Sequence, residues 1–449
     1  MVELTERRRI GHLLRRAGFG GSSDEITGYL QLGFDAAVQK LVDYERVSND
    51  ALEDRVRALE AELDLARLPS IQTIWLTRMH QTSRPLEEKM TLFWHDHFAT
   101  ANSKVARPQA MYDQNRLLRA HALGNFRELL NAIARDPAML RWLDSNSNRR
   151  QSPNENFARE LMELFTMGVG TYTETDVREA ARAFTGWFFE RERGFVFNRN
   201  QHDFGEKTIL GRSGTWDGGD VIDIILEQPA TAEFISSKLF RYFVHHQPSA
   251  STISRLADGF RRSDYNLREL VRSILTSPEL SSLEAYHANV RSPVEWLIGS
   301  MKALSVDEIP RGAVAGLRRM GMDLFNPPDV NGWSWGPGWI GTATLLERLN
   351  AAVELTSQRG NNARYGMDPT SVIREIGGIH PVQIVDGLID LLVEGDVPPG
   401  VREAILATAA QGAPTRPGLQ GRDQTSTNTD RFLRGAAHLV MCTPVYQMA

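Results

Sequence analysis

Three short segments of the sequence carry polar side chains of chemically useful types within an otherwise apolar pattern. Residues 94–97 read Trp-His-Asp-His, residues 154–163 contain three glutamates and two asparagines, and residues 201–207 contain a His-Asp pair followed by a lysine. Histidines and carboxylates are the side chains that ligate divalent metal ions and act as general acids and bases. These residue types therefore suggest metal-assisted hydrolysis as the first chemistry to consider.

The first segment ends a predicted helix over residues 86–98, and its histidines, His95 and His97, stand two positions apart. On a regular α-helix two positions correspond to about 200° of rotation, so both histidines cannot ligate one ion unless the helix is distorted. Either the helix unwinds there, or one histidine serves the site and the other is buried and hydrogen-bonded. Asp96, between them, supplies a supporting carboxylate.

The second segment is predicted to form a helix that starts at Ser152 and runs to about Met167. Ser152 and Glu155 have the spacing of a capping box, Pro153 suits the first helical position, and Gly168 suits the end. One face of this helix is apolar and faces the core. Another face carries a polar row at helical spacing, formed by Asn156, Glu160 and Glu163.

The third segment, residues 201–211, is predicted to be a loop that presents His202, Asp203 and Lys207 among glycines. Loops can present functional groups without burying unpaired backbone. The alternative is a capped turn with a structural role, and that interpretation is favoured for this segment taken alone.

A metal-assisted hydrolase is the first of three functional hypotheses. One or both of His95 and His97, with Glu160 or His202, would hold a zinc, manganese or iron ion that polarises a substrate or activates water. The candidate general bases are Glu155, Glu163 and Asp203, and the supporting polar side chains are Asp96, Asn154 and Asn156.

Two other hypotheses need no metal. The predicted helix start at Pro153 could bind a phosphate, sulfate or carboxylate, with Arg159 and Lys207 as the pairing cations, although Glu155 would place a competing negative charge there. Alternatively, the polar cluster is structural and the protein is a non-catalytic binding or assembly protein. Residues 331–339 contain three tryptophans that suit an aromatic binding surface, but filling a gap between helices is the favoured interpretation of these rings.

Composition limits the remaining functional classes. The 449 residues carry a formal net charge of -5, so no global basic field exists to bind nucleic acid. The single cysteine, Cys442, excludes an intramolecular disulfide and a zinc-cysteine site. No stretch approaches roughly 18 consecutive apolar residues, and the first 20 residues lack the pattern of a secretory signal, so a cytoplasmic protein without a membrane span is expected.

Helical periodicity dominates the chain and predicts an all-α fold. The clearest predicted helices cover residues 24–43, 51–66, 86–98, 108–120, 126–135, 231–245, 294–303 and 431–441. One β-hairpin is predicted over residues 187–198, where two aromatic runs flank an Arg-Gly turn. We expect one large helical domain over residues 1–449, with a flexible loop at 411–430 before the last helix.

Several ordered motifs resemble the segments of a known, mainly bacterial family. They are residues 13–20 (LLRRAGFG), 93–98 (FWHDHF), 154–164 (NENFARELMEL), 184–187 (FTGW), 202–207, 229–235, 326–333 (NPPDVNGW) and 443–447. On these residues the chain resembles the domain of unknown function 1800 (DUF1800) family. The family more usually has asparagine where this chain has Asp96. The resemblance implies a partner from a second uncharacterised, sulfatase-like family, and many relatives look exported.

Overall fold

The computed structural model describes residues 4–191, 193–357, 364–410 and 428–449. The described chain is mainly α-helical, as predicted, with two small antiparallel sheets of two strands each. The predicted loop at 411–430 falls almost entirely outside the described residues.

The first half of the chain up to the hairpin forms helices α1 to α12. Their bounds are α1 Glu6–Arg16, α2 Ser23–Leu32, α3 Phe34–Val42, α4 Asp50–Glu62, α5 Leu68–Gln81, α6 Pro85–His97, α7 Asn102–Val105, α8 Pro108–Ala120, α9 Phe126–Ile133, α10 Pro137–Trp142, α11 Asn156–Glu160 and α12 Glu174–Ala183.

The strands and the remaining helices follow. They are β1 Trp187–Glu190, β2 Gly194–Phe197, β3 Lys207–Ile209, β4 Arg212–Gly214, α13 Gly218–Leu226, α14 Pro229–Phe243, α15 Ala250–Arg262, α16 Leu267–Leu275, α17 Pro293–Ala303, α18 Ala313–Arg319, α19 Thr342–Ser357, α20 Pro369–Ile376, α21 Pro381–Val393, α22 Val401–Ala409 and α23 Asn428–Met441.

Most predicted helices are confirmed to within a few residues, and α8 matches its prediction at both ends. The predicted helix over 24–43 is wrong in one respect, because Gly33 divides it into α2 and α3. Gly33 adopts φ +77, a left-handed conformation that glycine accepts without steric cost, and its backbone N–H donates to the Leu30 carbonyl. Because the helical spacing of apolar residues continues across Gly33, the sequence pattern predicted one helix where there are two.

The predicted helix start at Ser152 is wrong, because α11 begins four residues later at Asn156. Ser152 instead pairs with Arg149 in a tight turn, and the Asn148 side chain accepts a hydrogen bond from the Asn154 backbone N–H at 2.9 Å. The Asn154 side chain then accepts from the Asn156 N–H at 2.9 Å, which closes a short turn before the helix, and the N-cap position is Glu155. The Ser152–Glu155 capping box does not form.

After α11 the helix widens into a π-helical turn over Leu161–Thr166 and ends before Gly168, which has φ +79. A π-helical turn shifts backbone hydrogen bonds from i+4 to i+5, and such turns frequently occur at functional sites. The Phe165 carbonyl, in the last turn of this helix, has no intrahelical partner and pairs with a histidine of α6.

Both sheets are hairpins. The predicted hairpin at 187–198 is confirmed as β1 and β2, in register from Trp187–Phe197 to Glu190–Gly194. The second, β3 and β4, contradicts the prediction of a loop up to residue 211. Leu210 and Gly211 both have positive φ at its turn, and leucine rarely adopts that conformation, so the sequence gives no turn signature.

Helix α6 lies between two hydrophobic cores. The first core contains Phe93, Trp94 and Phe98 of α6 together with side chains from α1 to α3 and α9 to α16. The second contains Leu92 of α6 together with side chains from α4, α5 and the chain from α17 to the C-terminal helix α23. A helix packed between two cores buries almost its whole circumference, so its polar side chains must find partners on opposite sides.

A buried charge network ties α6 to α5 and α8. Glu88 is fully buried and accepts hydrogen bonds from Arg119 at 2.6 and 2.9 Å and from the indole N–H of Trp75 at 2.9 Å. Arg78 lies beside the same carboxylate at 3.9 Å and pairs with Glu53 at 2.6 Å. These hydrogen bonds and ion pairs link the three helices, so the network fixes how they pack.

Among the described residues, no single helix is both long and apolar enough to cross a bilayer; only the bent pair α20 and α21, with 90° between its helices, reaches that length and composition.

Candidate functional site

The two histidines of α6 point into different cores, as their spacing requires. His95 is buried in the second core, where its Nε2 accepts a hydrogen bond from the Phe325 backbone N–H at 3.1 Å. The rings of Trp75 and Trp333 lie 5.3 and 5.4 Å from its own. Burial lowers the pKa of His95 to about 3, so this imidazole is neutral and carries its proton on Nδ1.

His97 is buried in the first core. Its Nε2 lies 3.0 Å from the Phe165 carbonyl and must donate to it, because a carbonyl only accepts. Its ring stacks on Phe93 and meets Phe98 edge-on. Burial, followed by the charge of Lys238, lowers the pKa of His97 well below its usual value. The neutral ring therefore leaves Nδ1 as an acceptor, and it has no hydrogen-bond partner in the described part of the chain.

The other two metal-ligand candidates lie at further positions. His202 is buried and donates from Nδ1 to the Thr185 carbonyl at 2.8 Å, between the rings of Phe197 and Phe204. Glu160 is half-buried at the end of α11, where burial and then Glu163 raise its pKa.

Histidines that donate to a carbonyl often use the second nitrogen to ligate a metal, and His97 and His202 meet that condition singly. Within the described ranges, however, no three His, Cys, Asp or Glu side chains are arranged so that they could hold a metal ion. The described residues therefore give no support to the divalent ion that the sequence suggested, and metal-assisted hydrolysis stays a prediction.

The remaining residues of the second segment form local contacts. Glu155 pairs with Arg159 at 2.9 Å, and Arg159 also pairs with Glu174 of α12 at 2.7 Å. Glu163 accepts from the Tyr172 hydroxyl at 2.7 Å. Arg159 is thus bound to two carboxylates, and the helix start at which an anion was predicted is displaced to the exposed Asn156.

The third segment is a compact structural turn. Asp203 accepts from Arg182 at 2.7 Å, and this guanidinium helps to lower the pKa of the carboxyl against the opposing effect of burial. Lys207 is buried, and its ammonium donates to the carbonyls of Asp203 and Gly205 at 2.6 and 3.0 Å. These contacts match the alternative that the sequence favoured, a capped turn with a structural role.

Asp96, the residue between the two histidines, contacts the backbone of a distant loop. One of its carboxylate oxygens accepts from the Trp333 backbone N–H at 2.7 Å. The preceding residue, Gly332, has φ +87 and lies so close that an added Cβ would be 2.7 Å from the Asp96 carbonyl oxygen. A loop more than 200 positions away in sequence therefore packs its backbone directly against the end of α6.

Asp96 lies in a cavity at the edge of the two cores, which we call the Asp96 pocket. The space between its walls, counted together with the open solvent at its mouth, is about 520 Å³. Most of its wall area is apolar, and polar side chains supply the rest. The residues that line it are Arg16, Leu92, Asp96, Tyr242, His246, Asn289, Val290, Ser292, Glu295, Met322, Trp333, Ser334, Trp335, Gly336 and Trp339.

Aromatic rings form much of the wall of the Asp96 pocket. Trp333 and Trp339 are buried, as the gap-filling interpretation expects, whereas Trp335 is 37% exposed and packs edge-on against Tyr242 at 5.4 Å. The tryptophan stretch therefore combines both roles considered from the sequence. Two rings close the space between the cores, and the third offers its surface at the mouth.

The ionisable groups in and beside the Asp96 pocket differ in the direction of their pKa shifts. Burial raises the pKa of Asp96 to about 7, although the Trp333 N–H, Lys238 and the Trp335 side chain act in the opposite direction. Burial lowers the pKa of the neighbouring Lys238 to about 8, against the charge of Asp96. Glu295 stays ionised, because Lys89 and the Ser292 N–H hold its pKa below the usual value despite burial. Environments that separate two carboxyl pKa values are typical of acid–base sites.

Sequence reasoning missed Lys238, Tyr242, Arg16 and Glu295. Lys238 had a readable signal, since it stands four positions from both Phe234 and Tyr242 on a mostly apolar helix, where a lysine is unusual. Arg16, at the end of α1, is buried and donates to the Phe243 carbonyl at 2.8 Å.

We expect the protonation of Asp96 to give the folding free energy a measurable pH dependence. The folded carboxyl has a pKa of about 7 and the unfolded one about 3.8, so between these values the folded state binds more protons and its stability falls as pH rises. Asp96→Asn removes this contribution. Between pH 5 and pH 8 the wild type should lose about 2 kcal/mol more stability than the variant in urea denaturation. Parallel curves would contradict the assigned protonation.

Comparison with known proteins shows which family the chain belongs to. A family model described as "Protein of unknown function (DUF1800)" matches residues 12–448, nearly the whole chain. The chain belongs to this family. No curated protein and no solved structure matches it. Three of the segments in which the resemblance to DUF1800 was recognised, residues 13–20, 93–98 and 326–333, meet at the Asp96 pocket, where they supply Arg16, Asp96 and Trp333.

Proposed function

We propose that this DUF1800 protein binds a neutral, hydroxylated ring compound, of which a sugar unit is the simplest example, in the Asp96 pocket. The observation that carries the proposal is the juxtaposition of the Asp96 carboxyl, whose pKa burial raises to about 7, with aromatic rings at a cavity mouth. A protonated carboxyl both donates and accepts hydrogen bonds, as a hydroxyl ligand requires. An aromatic face accepts the apolar side of a ring.

The charges of the pocket support a neutral ligand. Arg16 and Glu295 have opposite signs, and both are already engaged, Arg16 by the carbonyls of Tyr242 and Phe243 and Glu295 by Lys89 and Ser292. A cationic ligand would meet the positive charges of Arg16 and Lys238, and an anionic ligand would meet Glu295. Neutral polar side chains also line the pocket, those of Asn289, Ser292 and Ser334.

The proposal is tested with neutral mono- and disaccharides, by tryptophan fluorescence and isothermal titration calorimetry. Trp335→Ala should weaken binding by about 2 kcal/mol, roughly thirtyfold, because the half-exposed ring contributes contact area but little to the core. Trp216→Ala is the matched control, since Trp216 is also half-buried but lies outside the pocket. Binding by none of the compounds, or equal binding by the two variants, would refute the proposal.

Acid-catalysed hydrolysis of the bound compound is a second candidate, favoured by the raised pKa of Asp96. The Asp96 carboxyl would donate its proton to the leaving oxygen as the bond to carbon breaks, and a water would add to that carbon and return a proton to Asp96. Turnover should then fall as pH rises through about 7, and Asp96→Asn should bind but not react. The metal-assisted alternative is tested separately by elemental analysis of the purified protein.

A further inference from the structure

A second cavity lies on the other side of Glu295 from the Asp96 pocket, and we call it the arginine cavity. Its walls come from α1, α17, α21 and the last residues of the chain, and the space between them is about 480 Å³ including the opening. Its charged lining consists of Arg15, Arg291, Glu295 and Glu394. Glu295 also lines the Asp96 pocket, so one carboxylate separates the two sites.

Arg15 is incompletely paired although it is only 7% exposed. Its Nη1 forms an ion pair with Glu394, but its Nε and Nη2 are buried and have no hydrogen-bond partner among the residues the structure describes. The guanidinium also lies 5.7 Å from the centre of the Tyr286 ring. A buried donor without a partner destabilises the fold, and more so when it is charged, so these two nitrogens call for an acceptor.

The surrounding cations outnumber the carboxylates. Counted by side chain within the described residues, the region holds five cations (Arg15, Arg16, Lys89, Arg291 and Arg348) and two carboxylates (Glu295 and Glu394). The carboxylates are already paired, Glu295 with Lys89 and Glu394 with Arg15. The side chains of this buried region therefore carry an excess of positive charge, which an anion would neutralise.

Arg291 and Arg348 contribute to this excess through contacts with neutral groups. Arg291 donates to the Met448 carbonyl at 2.7 Å and lies 4.5 Å from the centre of the Tyr446 ring. Arg348 is fully buried and donates to the Arg291 carbonyl at 2.8 Å. Burial, followed by the nearby charge of Arg291, lowers the pKa of Arg348 to about 10.

Part of the wall of the arginine cavity is formed by glycines. Gly20, Gly21 and Gly299 line it, and an added Cβ at Gly299 would lie 2.9 Å from the Phe19 carbonyl and 4.0 Å from Nη1 of Arg291. Without side chains at these positions, a ligand can approach the backbone and the guanidinium groups closely.

We propose that the arginine cavity binds a small tetrahedral oxyanion, such as a phosphate or sulfate group. Such an anion would accept hydrogen bonds from Nε and Nη2 of Arg15, whose fork geometry matches two oxygens of one phosphate, and would neutralise the charge excess around Arg291. This site is distinct from the helix start near residue 153 where an anion was predicted from the sequence.

Inorganic phosphate is the probe, titrated into the full-length protein by calorimetry and by thermal unfolding against sodium chloride of equal ionic strength. Phosphate should raise Tm in a saturable manner that chloride does not reproduce. Arg15→Lys keeps the charge but removes the fork, and it should bind phosphate about tenfold more weakly or worse. The matched control is Arg7→Lys, because Arg7 lies on the same helix and pairs with Asp390 outside the cavity.

Arg291→Lys provides a second variant if Arg15→Lys fails to fold. The proposal is overturned if phosphate and chloride act alike, or if the Arg15 or Arg291 variant binds phosphate as tightly as the Arg7 variant. A small phosphomonoester that binds more tightly than inorganic phosphate would show that the oxyanion is part of a larger ligand. Trp335→Ala should leave the phosphate response unchanged, so this test is independent of the function proposed for the Asp96 pocket.

Discussion

Replacing Glu88 with alanine is expected to lower the free energy of unfolding by about 3–5 kcal/mol, because it leaves a buried guanidinium without its carboxylate. Glu88 is fully buried and accepts two hydrogen bonds from Arg119 and one from the Trp75 indole. Without Glu88, the charge of Arg119 is left unpaired in the interior. The hydrogen bonds that link α6 to α5 and α8 through this carboxylate are also lost. Urea denaturation followed by circular dichroism measures the change.

Glu87→Gln is the matched control for this prediction. Glu87 is adjacent on α6 and half-buried, but its contact with Arg84 is long, at 4.0 Å, and burial raises its pKa to about 7. Because this carboxyl is already partly protonated near neutral pH, its amide should change stability by less than about 1 kcal/mol. Equal effects of the two variants would show that the Glu88 network does not stabilise the fold.

Gly332→Ala is expected to disrupt the Asp96 pocket and to cost about 2–4 kcal/mol of stability, through a left-handed backbone that alanine resists and a collision with α6. Gly332 has φ +87, and its added Cβ would overlap the carboxylate and the carbonyl oxygen of Asp96. Relief of that overlap must move the loop and break the Trp333–Asp96 hydrogen bond. Urea denaturation and saccharide titration together should therefore report losses of stability and binding.

Gly341→Ala controls for the loss of a glycine in the same loop region. Its added Cβ would have as its nearest neighbour Thr344 Oγ1 at 3.7 Å, an ordinary van der Waals distance, and its φ is not in the left-handed region. We expect stability and binding to stay close to those of the wild type. If Gly332→Ala behaves as mildly as this control, the loop does not depend on its close approach to Asp96.

Several features of the fold could be predicted because their causes are local. Apolar residues at helical spacing and good helix formers set α8, α6 and α14 to within a few residues, and the Arg-Gly turn between aromatic runs set the first hairpin. The two errors of secondary structure near the predicted site arose where tertiary contacts replaced local signals. The side chain of Asn148 moved the helix start from Ser152, and Leu210 adopted a turn conformation that its residue type disfavours.

The candidate site was predictable only in part. The two-residue spacing of His95 and His97 foretold that they would face different surroundings, and the structure places them in different cores. Asp96 entered the prediction as a supporting group, and nothing in the sequence indicated that it would be central. Its raised pKa comes from burial, and that burial requires both cores and a loop from residues 331–339.

The histidine–carboxylate segment thus had its residue types and its angular spacing determined by the sequence alone, because helix geometry depends on residues within one or two turns. Tertiary structure decided which of these residues line a cavity, which form hydrogen bonds with the backbone, and which carry a proton near neutral pH. Those properties depend on desolvation and on contacts between residues such as Asp96 and Trp333, which only packing brings together.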